Sequence, residues 1–192
     1  MTDEIILPPY IGVDPQRIVV VNSTADAIAA SRILAASDVL GFDTESKPVF
    51  MKGQVSQGPH LIQLATLETV FLFPIRRGES YVLLQEILES TTILKVGFGL
   101  GDDQQRLHAK LGITTQHVLD LARALRTDSR CDVGAKTAVA RFFGQKLQKS
   151  KKISTSNWAV LPLTDKQKQY AADDAHVALK IYRAWQAQCD QE

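Results

Sequence analysis

The sequence predicts an α/β or α+β fold in which one sheet, built mostly from the first half of the chain, is covered by helices. Short apolar runs of strand length are concentrated before residue 100. Apolar residues at helical spacing dominate after it. Six of the seven prolines lie before residue 75, which agrees with a first half rich in strands and turns.

The first half alternates strand-like runs with two helical stretches. Ser23 and Thr24 are candidate caps for an alanine-rich helix over 25–36, and a second helix is predicted over 81–89. A two-residue turn at 67–68 joins two of the strand-like runs into a predicted hairpin. The strand-like runs cover residues 17–22, 39–45, 60–66, 69–75 and 93–98.

The second half predicts four helices. The first is marked by Asp103, Leu107 and Leu111, which stand at i, i+4 and i+8 and therefore share one helix face. The other three are predicted over 118–125, 132–143 and 164–188, the last of them capped by Thr164.

The composition is typical of a soluble protein: 45% of the 192 residues are hydrophobic and 22% are charged. We expect a single domain over 1–192, with a core at about 18–187 and no accessory helical domain after it. Cys131 and Cys189 are too far apart in sequence for a CxxC zinc site, which favours a reduced, cytoplasmic location. The N-terminal stretch is acidic and interrupted by prolines, unlike a signal peptide. No segment approaches the ~20 apolar residues that cross a bilayer, so no membrane partner is expected.

A pair of acids ends one of the apolar strand-like runs. Asp43 and Glu45 stand at i and i+2, so a strand projects both to the same face. Because the run before them is apolar, the pair is expected at the edge of a core. Taken alone, such a pair is more often surface decoration than a site.

A second acidic segment opens the helix that follows a glycine-rich turn. Asp103 shares a helix face with the apolar Leu107 and Leu111, whereas Asp102 shares one with Arg106. Asp103 is therefore the acid predicted to point inward. The alternative is that both acids complement the helix N-terminus, where anions are favoured by about 0.3–1 kcal/mol. That alternative accounts well for Asp102.

The third acidic segment belongs to the long C-terminal helix. Tyr170 and Asp174 stand at i and i+4, and Ala178 and Ile181 continue the same apolar face, whereas Asp173 lies nearer its margin. Asp174 is thus predicted to point inward. Tyr170 could hydrogen-bond an attacking water, and a buried structural tyrosine is the alternative.

Four carboxylates at one point would need cations. Each close pair repels by about 4 kcal/mol at an effective dielectric near 20, so the group would protonate or separate without them. Ligands that offer only oxygen favour magnesium or manganese over zinc. A carboxylate cage with open positions for phosphate oxygens suits two-metal cleavage of a phosphodiester. We therefore predict two divalent cations, Mg²⁺ or Mn²⁺, held by Asp43, Glu45, Asp103 and Asp174.

The acids sit in three longer motifs: residues 42–45 (FDTE), residues 96–103 (VGFGLGDD), and a pattern that runs from 156–158 (SNW) to 170–175 (YAADDA). Together these resemble the DEDD superfamily of 3′–5′ exonucleases, in its tyrosine-bearing branch of ribonuclease D and Werner-type enzymes. The third pattern is the most specific of the three. The resemblance extends from about residue 18 to residue 185, nearly the whole chain.

The resemblance implies a ribonuclease-H-like fold, in which a mixed central sheet is flanked by helices. It implies that Asp43 bridges both metal ions. Glu45 and Asp174 would hold the ion on the side of the nucleophile, and Asp103 would support the second ion. Tyr170 would position the attacking water, and the product would be a nucleoside 5′-monophosphate.

Contacts with nucleic acid are predicted from weaker signals. Four lysines and no acid occupy 146–152, a run that is either a solvated loop or a site of phosphate contacts. Ser46 stands where Werner-type relatives often have an aromatic residue, which leaves Phe50 or Met51 as a candidate to stack the terminal base, with a packing role as the alternative for both. For Gln63, a hydrogen-bonded strand glutamine is an equal alternative. The predicted contact residues are Thr44, Phe50, Gln63, Lys149, Lys151, Lys152 and Asn157.

The predicted function is a 3′→5′ exonuclease acting on a single-stranded or frayed 3′ end of DNA or RNA. The residues SNW at 156–158 resemble the Werner-type branch more closely, which slightly favours DNA. The alternatives are an RNA-trimming enzyme of ribonuclease D type, an inactive nucleic-acid-binding module, and an adaptor whose acids are surface charges. The net charge of +1 gives no general attraction for a polyanion. The oligomeric state stays open, with a homo-oligomer as one option.

Overall fold

The computed structural model describes residues 6–49, 57–76, 81–128 and 131–190. Six strands form one mixed sheet: β1 (Ile18–Val20), β2 (Val39–Glu45), β3 (Leu61–Ala65), β4 (Val70–Pro74), β5 (Leu94–Gly97) and β6 (Val118–Asp120). Their order in the sheet is β1-β4-β3-β2-β5-β6. The acid-bearing β2 is therefore central, antiparallel to β3 and parallel to β5.

Seven α-helices in the described ranges flank the sheet: α1 (Thr24–Ala35), α2 (Val82–Glu89), α3 (Gly101–Leu111), α4 (Leu121–Ala124), α5 (Ala135–Phe143), α6 (Lys151–Ser154) and α7 (Asp165–Cys189). Ser23 and Thr164 close capping boxes at the starts of α1 and α7, where the sequence predicts caps. None of these helices is both long enough and apolar enough to cross a membrane.

Both faces of the sheet are packed with apolar side chains. On one face, Leu40 and Phe42 of β2 belong to a core shared with α1, α2 and α3. On the other face, α5 and α7 cover the sheet. Because side chains alternate along a strand, Asp43 and Glu45 lie on the face that α7 covers.

The hairpin prediction is confirmed, whereas one predicted helix is wrong in its first half. β3 and β4 are antiparallel, and the amide of Thr66 donates to the carbonyl of Thr69 at 2.9 Å across the turn. The stretch 118–125, predicted as a helix, begins as β6, which pairs parallel with β5. Asp120 then caps α4. Apolar periodicity over so short a run cannot separate a strand from a helix, and pairing at the sheet edge decides for the strand.

A glycine lets α7 approach the centre of the sheet. A Cβ atom at Gly41 would lie only 2.0 Å from the carbonyl oxygen of Ala175. Ala171, Ala172 and Ala175 are completely buried there, so small side chains on the helix match the glycine on the strand. This close approach brings Asp174, the neighbour of Ala175, to the acids of β2.

Candidate metal centre

Three acids from two elements meet at the end of β2. Asp43, Glu45 and Asp174 each offer one carboxylate oxygen, and these oxygens all lie within 4.8 Å of one another. The side chain of Asp174 points into the protein, as its helical phase predicts, and the residue is 8% exposed. Segments about 130 residues apart in sequence therefore supply one compact group of oxygen donors.

Asp103 lies beside this group rather than within it. Its Oδ1 accepts a hydrogen bond from the Thr44 hydroxyl at 2.7 Å. The Asp103 side chain is 13% exposed and that of Asp102 is 77% exposed, so helical phase identified the inward acid correctly. Thr44 itself is buried, which places its side chain against Asp103 rather than against a nucleic-acid strand.

Asp120, which lies within a stretch predicted as a helix, holds the turn that leads to Asp103. Its two carboxylate oxygens accept hydrogen bonds from the amides of Gly99 and Leu100, at 2.9 and 3.2 Å. Gly99 has a positive φ of 71°, which suits a residue without a Cβ atom. An aspartate directly before the helix-forming LARA stretch is a capping signal, and it could have located this boundary from sequence.

Ionisation of all the acids at once is unfavourable unless a metal ion binds between them. Burial raises the pKa of Asp43 well above its ordinary value, and the charges of Asp174 and Asp103 raise it further. Burial, followed by the charge of Asp43, raises the pKa of Glu45 to about 10. Burial also raises the pKa of Asp174, whereas Lys149 lowers it. A hard divalent cation would relieve this repulsion, so the donor set fits Mg²⁺ or Mn²⁺.

One lysine of the predicted basic run enters the acid group. The Nζ atom of Lys149 lies 2.9 Å from Oδ1 of Asp174, and its side chain is 30% exposed. The sequence predicts Lys149 only as a contact to phosphate. Its pairing with Asp174 has no signal in the sequence, because the loop and α7 meet only through the fold.

Tyr170 lies between Lys149 and a buried tryptophan. Its ring centre is 5.9 Å from the Lys149 ammonium and 6.1 Å from the ring centre of Trp158, which is 1% exposed. Burial and the charge of Asp174 raise the pKa of Tyr170 well above its ordinary value. Its hydroxyl therefore keeps its proton and can donate a hydrogen bond at the margin of the acid group.

The remaining predicted contacts with nucleic acid are divided between surface and interior. Lys151 and Lys152 of α6 and Asn157 are exposed. Gln63 is completely buried opposite Asp43 in the β2–β3 pair. Phe50 and Met51 lie outside the described residues.

Gln63 has an unusual environment for a strand glutamine. Neither Oε1 nor Nε2 has a hydrogen-bond partner among the residues that the structure describes. The predicted alternative of a hydrogen-bonded strand glutamine is therefore not what these residues show. A buried amide without partners costs about 1–3 kcal/mol of stability.

Comparison with known sequences assigns the chain to a family. A family model described as 3′-5′ exonuclease matches residues 18–190. The bifunctional 3′-5′ exonuclease/ATP-dependent helicase WRN of Mus musculus is 34% identical over 157 residues, which are 78% of this chain and 11% of that protein. The chain thus corresponds to a small part of this longer relative.

Comparison with solved structures agrees with the fold implied by the motifs. The EXO domain of Nibbler from Aedes aegypti aligns with a TM-score of 0.81 and 25% identity, over 95% of this chain and 94% of that one. RNase D from Escherichia coli aligns with a TM-score of 0.75 and 21% identity, over 91% of this chain and 45% of that one. These likenesses confirm the predicted ribonuclease-H-like architecture. Taken with the family match over 18–190, they show that the chain belongs to the 3′–5′ exonuclease family of the DEDD superfamily.

Proposed function

We propose that this chain is a metal-dependent 3′→5′ exonuclease that hydrolyses the terminal phosphodiester bond of a nucleic-acid strand and releases nucleoside 5′-monophosphates. The observation that carries the proposal is the meeting of Asp43, Glu45 and Asp174, whose carboxylate oxygens lie within 4.8 Å of one another. Folding alone gives no reason to bring three acids together in the protein, because each loses hydration and, among the described residues, only Asp174 of the three forms an ion pair, with Lys149. Membership of the exonuclease family supports the same reading.

The side chains of the site have separable roles in this proposal. Asp43, Glu45 and Asp174, with Asp103 beside them, would hold two divalent cations. Such cations supply a hydroxide at neutral pH and stabilise the leaving oxygen. The protonated hydroxyl of Tyr170 would orient the attacking water by a hydrogen bond. The exposed lysines of α6 would contact phosphates of the strand without reading its sequence.

The test uses one oligonucleotide labelled at either end. With Mg²⁺ or Mn²⁺, the 5′-labelled strand is expected to shorten progressively, because cleavage starts at the other end. The 3′-labelled strand is expected to lose its label as a mononucleotide at the earliest times. EDTA is expected to stop both reactions. Internal fragments at early times, or full activity in EDTA, would contradict the proposal.

DNA is the preferred substrate in this proposal, because residues 156–158 resemble the Werner-type branch and the chain is 34% identical to the mouse helicase-nuclease WRN. The competing function is trimming of RNA. The two sugars differ at the 2′-hydroxyl, which the site must either accept or exclude. Matched DNA and RNA strands with different labels should therefore compete in one reaction. Faster loss of the RNA label would reverse the preference.

Replacing Gln63 with methionine is expected to separate stability from activity. The buried amide lies opposite Asp43 without a hydrogen-bond partner in the described ranges, so its removal should raise the melting temperature by about 2–4 °C. If the amide orders water or the Asp43 carboxylate during the reaction, kcat should fall by about tenfold to a hundredfold.

Melting curves and single-turnover cleavage by wild type and Gln63→Met check this prediction. Leu72 is the other cross-strand neighbour of Gln63, and Leu72→Met provides a matched control in the same buried layer. A stable, fully active Gln63→Met protein would mean that the glutamine has no part in the chemistry.

A further inference from the structure

The ammonium group of Lys149 supplies a positive charge beside the acids of the candidate metal centre. Its Nζ is 2.9 Å from Asp174, and its charge also acts on Asp43 and Glu45. One lysine thus faces the three acids whose oxygens lie within 4.8 Å of one another. The other lysines of the run 146–152 are exposed to solvent, so this arrangement is particular to Lys149.

The backbone on both sides of Lys149 is anchored. Leu147 is buried in the core beneath α5 and α7, and Ile153 packs against the core that contains Trp158. The residue before Leu147 is fixed as well, because Lys146 exchanges backbone hydrogen bonds of 2.8 and 3.0 Å with the N-terminal segment at Pro8 and Tyr10. The packing of the loop therefore fixes the backbone of Lys149 close to the acids.

The contact with Asp174 opposes the binding of metal ions at the same oxygen. The ammonium group takes one acceptor position of Oδ1 at 2.9 Å, and its positive charge repels a divalent cation placed close to it. Side-chain rotation can move the long lysine stem, whereas α7 and β2 are packed backbones. Lys149, rather than the acids, is the partner that must move.

We propose that Lys149 is the internal counter-ion of the metal-free site and that divalent cations displace its ammonium group from Asp174 when they bind. The displaced ammonium group then contacts a non-bridging oxygen of the phosphate to be cleaved. The inference rests on the proposed function for its second half only. In its first half, exchange of an ammonium group for a metal ion requires no substrate. The two halves can therefore be tested separately.

The first experiment measures melting temperatures without substrate. Metal-free Lys149→Met is expected to melt about 5 °C below wild type, because the acids lose their counter-ion. Saturating Mn²⁺ should remove this difference, since the metal replaces the lost charge. Lys149→Arg keeps the charge and should resemble wild type. Lys146→Met, an exposed change of the same charge in the same loop, should alter neither measurement.

A second measurement uses the wild-type chain, in case Lys149→Met does not fold. Lysine amines are labelled with an acylating reagent, and each site is followed by mass spectrometry. Labelling of Lys149 should rise severalfold when Mn²⁺ is added, whereas labelling of Lys146 should stay constant. Unchanged labelling of Lys149, or a lower melting temperature of Lys149→Met that persists in Mn²⁺, would show that the Lys149–Asp174 ion pair has only a structural role and would overturn the inference.

The contact with substrate is tested by cleavage rates at saturating Mn²⁺. Lys149→Met should lose about tenfold to a hundredfold in rate, and Lys149→Arg should recover part of that loss. If wild type cleaves no strand at all, the proposed function fails, while the metal exchange is still judged by melting and labelling. If wild type is active and Lys149→Met retains the full rate, only the contact with phosphate is refuted.

Discussion

Replacing Asp43 with asparagine is expected to reduce the rate of 3′-end cleavage by at least about 10³-fold, a barrier increase of about 4 kcal/mol. Burial raises the pKa of Asp43, and the charges of Asp174 and Asp103 raise it further, as they also do for Glu45, so the two acids of β2 lie at the centre of the group. Asparagine keeps the shape of the side chain but cannot neutralise a divalent cation. The rate is measured with saturating oligonucleotide and Mn²⁺.

Asp102→Asn is the matched control, because it removes the same charge from a side chain that is 77% exposed. We expect this control to retain nearly full activity. Asp43→Asn should also melt above wild type when metal is absent, since one source of repulsion has gone. Comparable losses of activity in both variants, or an active Asp43→Asn enzyme, would show that the acid group is not the catalytic centre.

The stabilisation of the protein by Mn²⁺ is expected to grow as the pH rises from about 7 to about 9. Burial raises the folded-state pKa of Asp43 and of Asp174, and burial with the charge of Asp43 raises that of Glu45 to about 10. Between its ordinary pKa and this raised value, each carboxyl binds more protons in the folded than in the unfolded state. Stability from that protonation is complete below the ordinary pKa and is lost as the pH rises through the folded pKa.

The expected size is at most about 1.4 kcal/mol per pH unit for each group that titrates in this range. Mn²⁺ removes the loss, because it compensates the ionised carboxylates. The measurement is therefore the difference in melting temperature between the Mn²⁺-bound and metal-free protein at each pH. Titratable groups elsewhere, such as His60 and Lys95, are present in both the Mn²⁺-bound and the metal-free protein, so their contributions to the pH dependence cancel in this difference. A difference independent of pH would contradict the raised pKa values, and Asp43→Asn should show a weaker dependence than wild type.

Several features of the fold could be predicted because their causes are local. The turn between β3 and β4 follows from two residues between apolar runs. The start of α7 follows from Thr164 and its capping box. The boundary at Asp120 is not predicted, although its capping signal is also local, because the apolar residues around it match both a strand and a helix.

In the candidate site, too, features with local causes could be predicted and features with long-range causes could not. Helical phase distinguished Asp103 from Asp102, because the direction of a side chain on a helix depends only on its position in the turn. No local rule could show that Thr44 hydrogen-bonds Asp103, or that Gln63 is buried without a partner opposite Asp43. Those contacts depend on the register of neighbouring strands and on which helix end lies above them.

The sequence by itself determined which acids are candidate metal ligands, the helix face on which Asp103 and Asp174 lie, and the family to which the chain belongs. Those properties reside in residue type and in the spacing of a few positions. Only the tertiary structure decided that three of the four acids form one group, that Asp103 lies beside them, and that Lys149 faces them. The physical reason is that distances between remote segments follow from packing, here from the approach of α7 to β2 that Gly41 and the buried alanines of α7 permit.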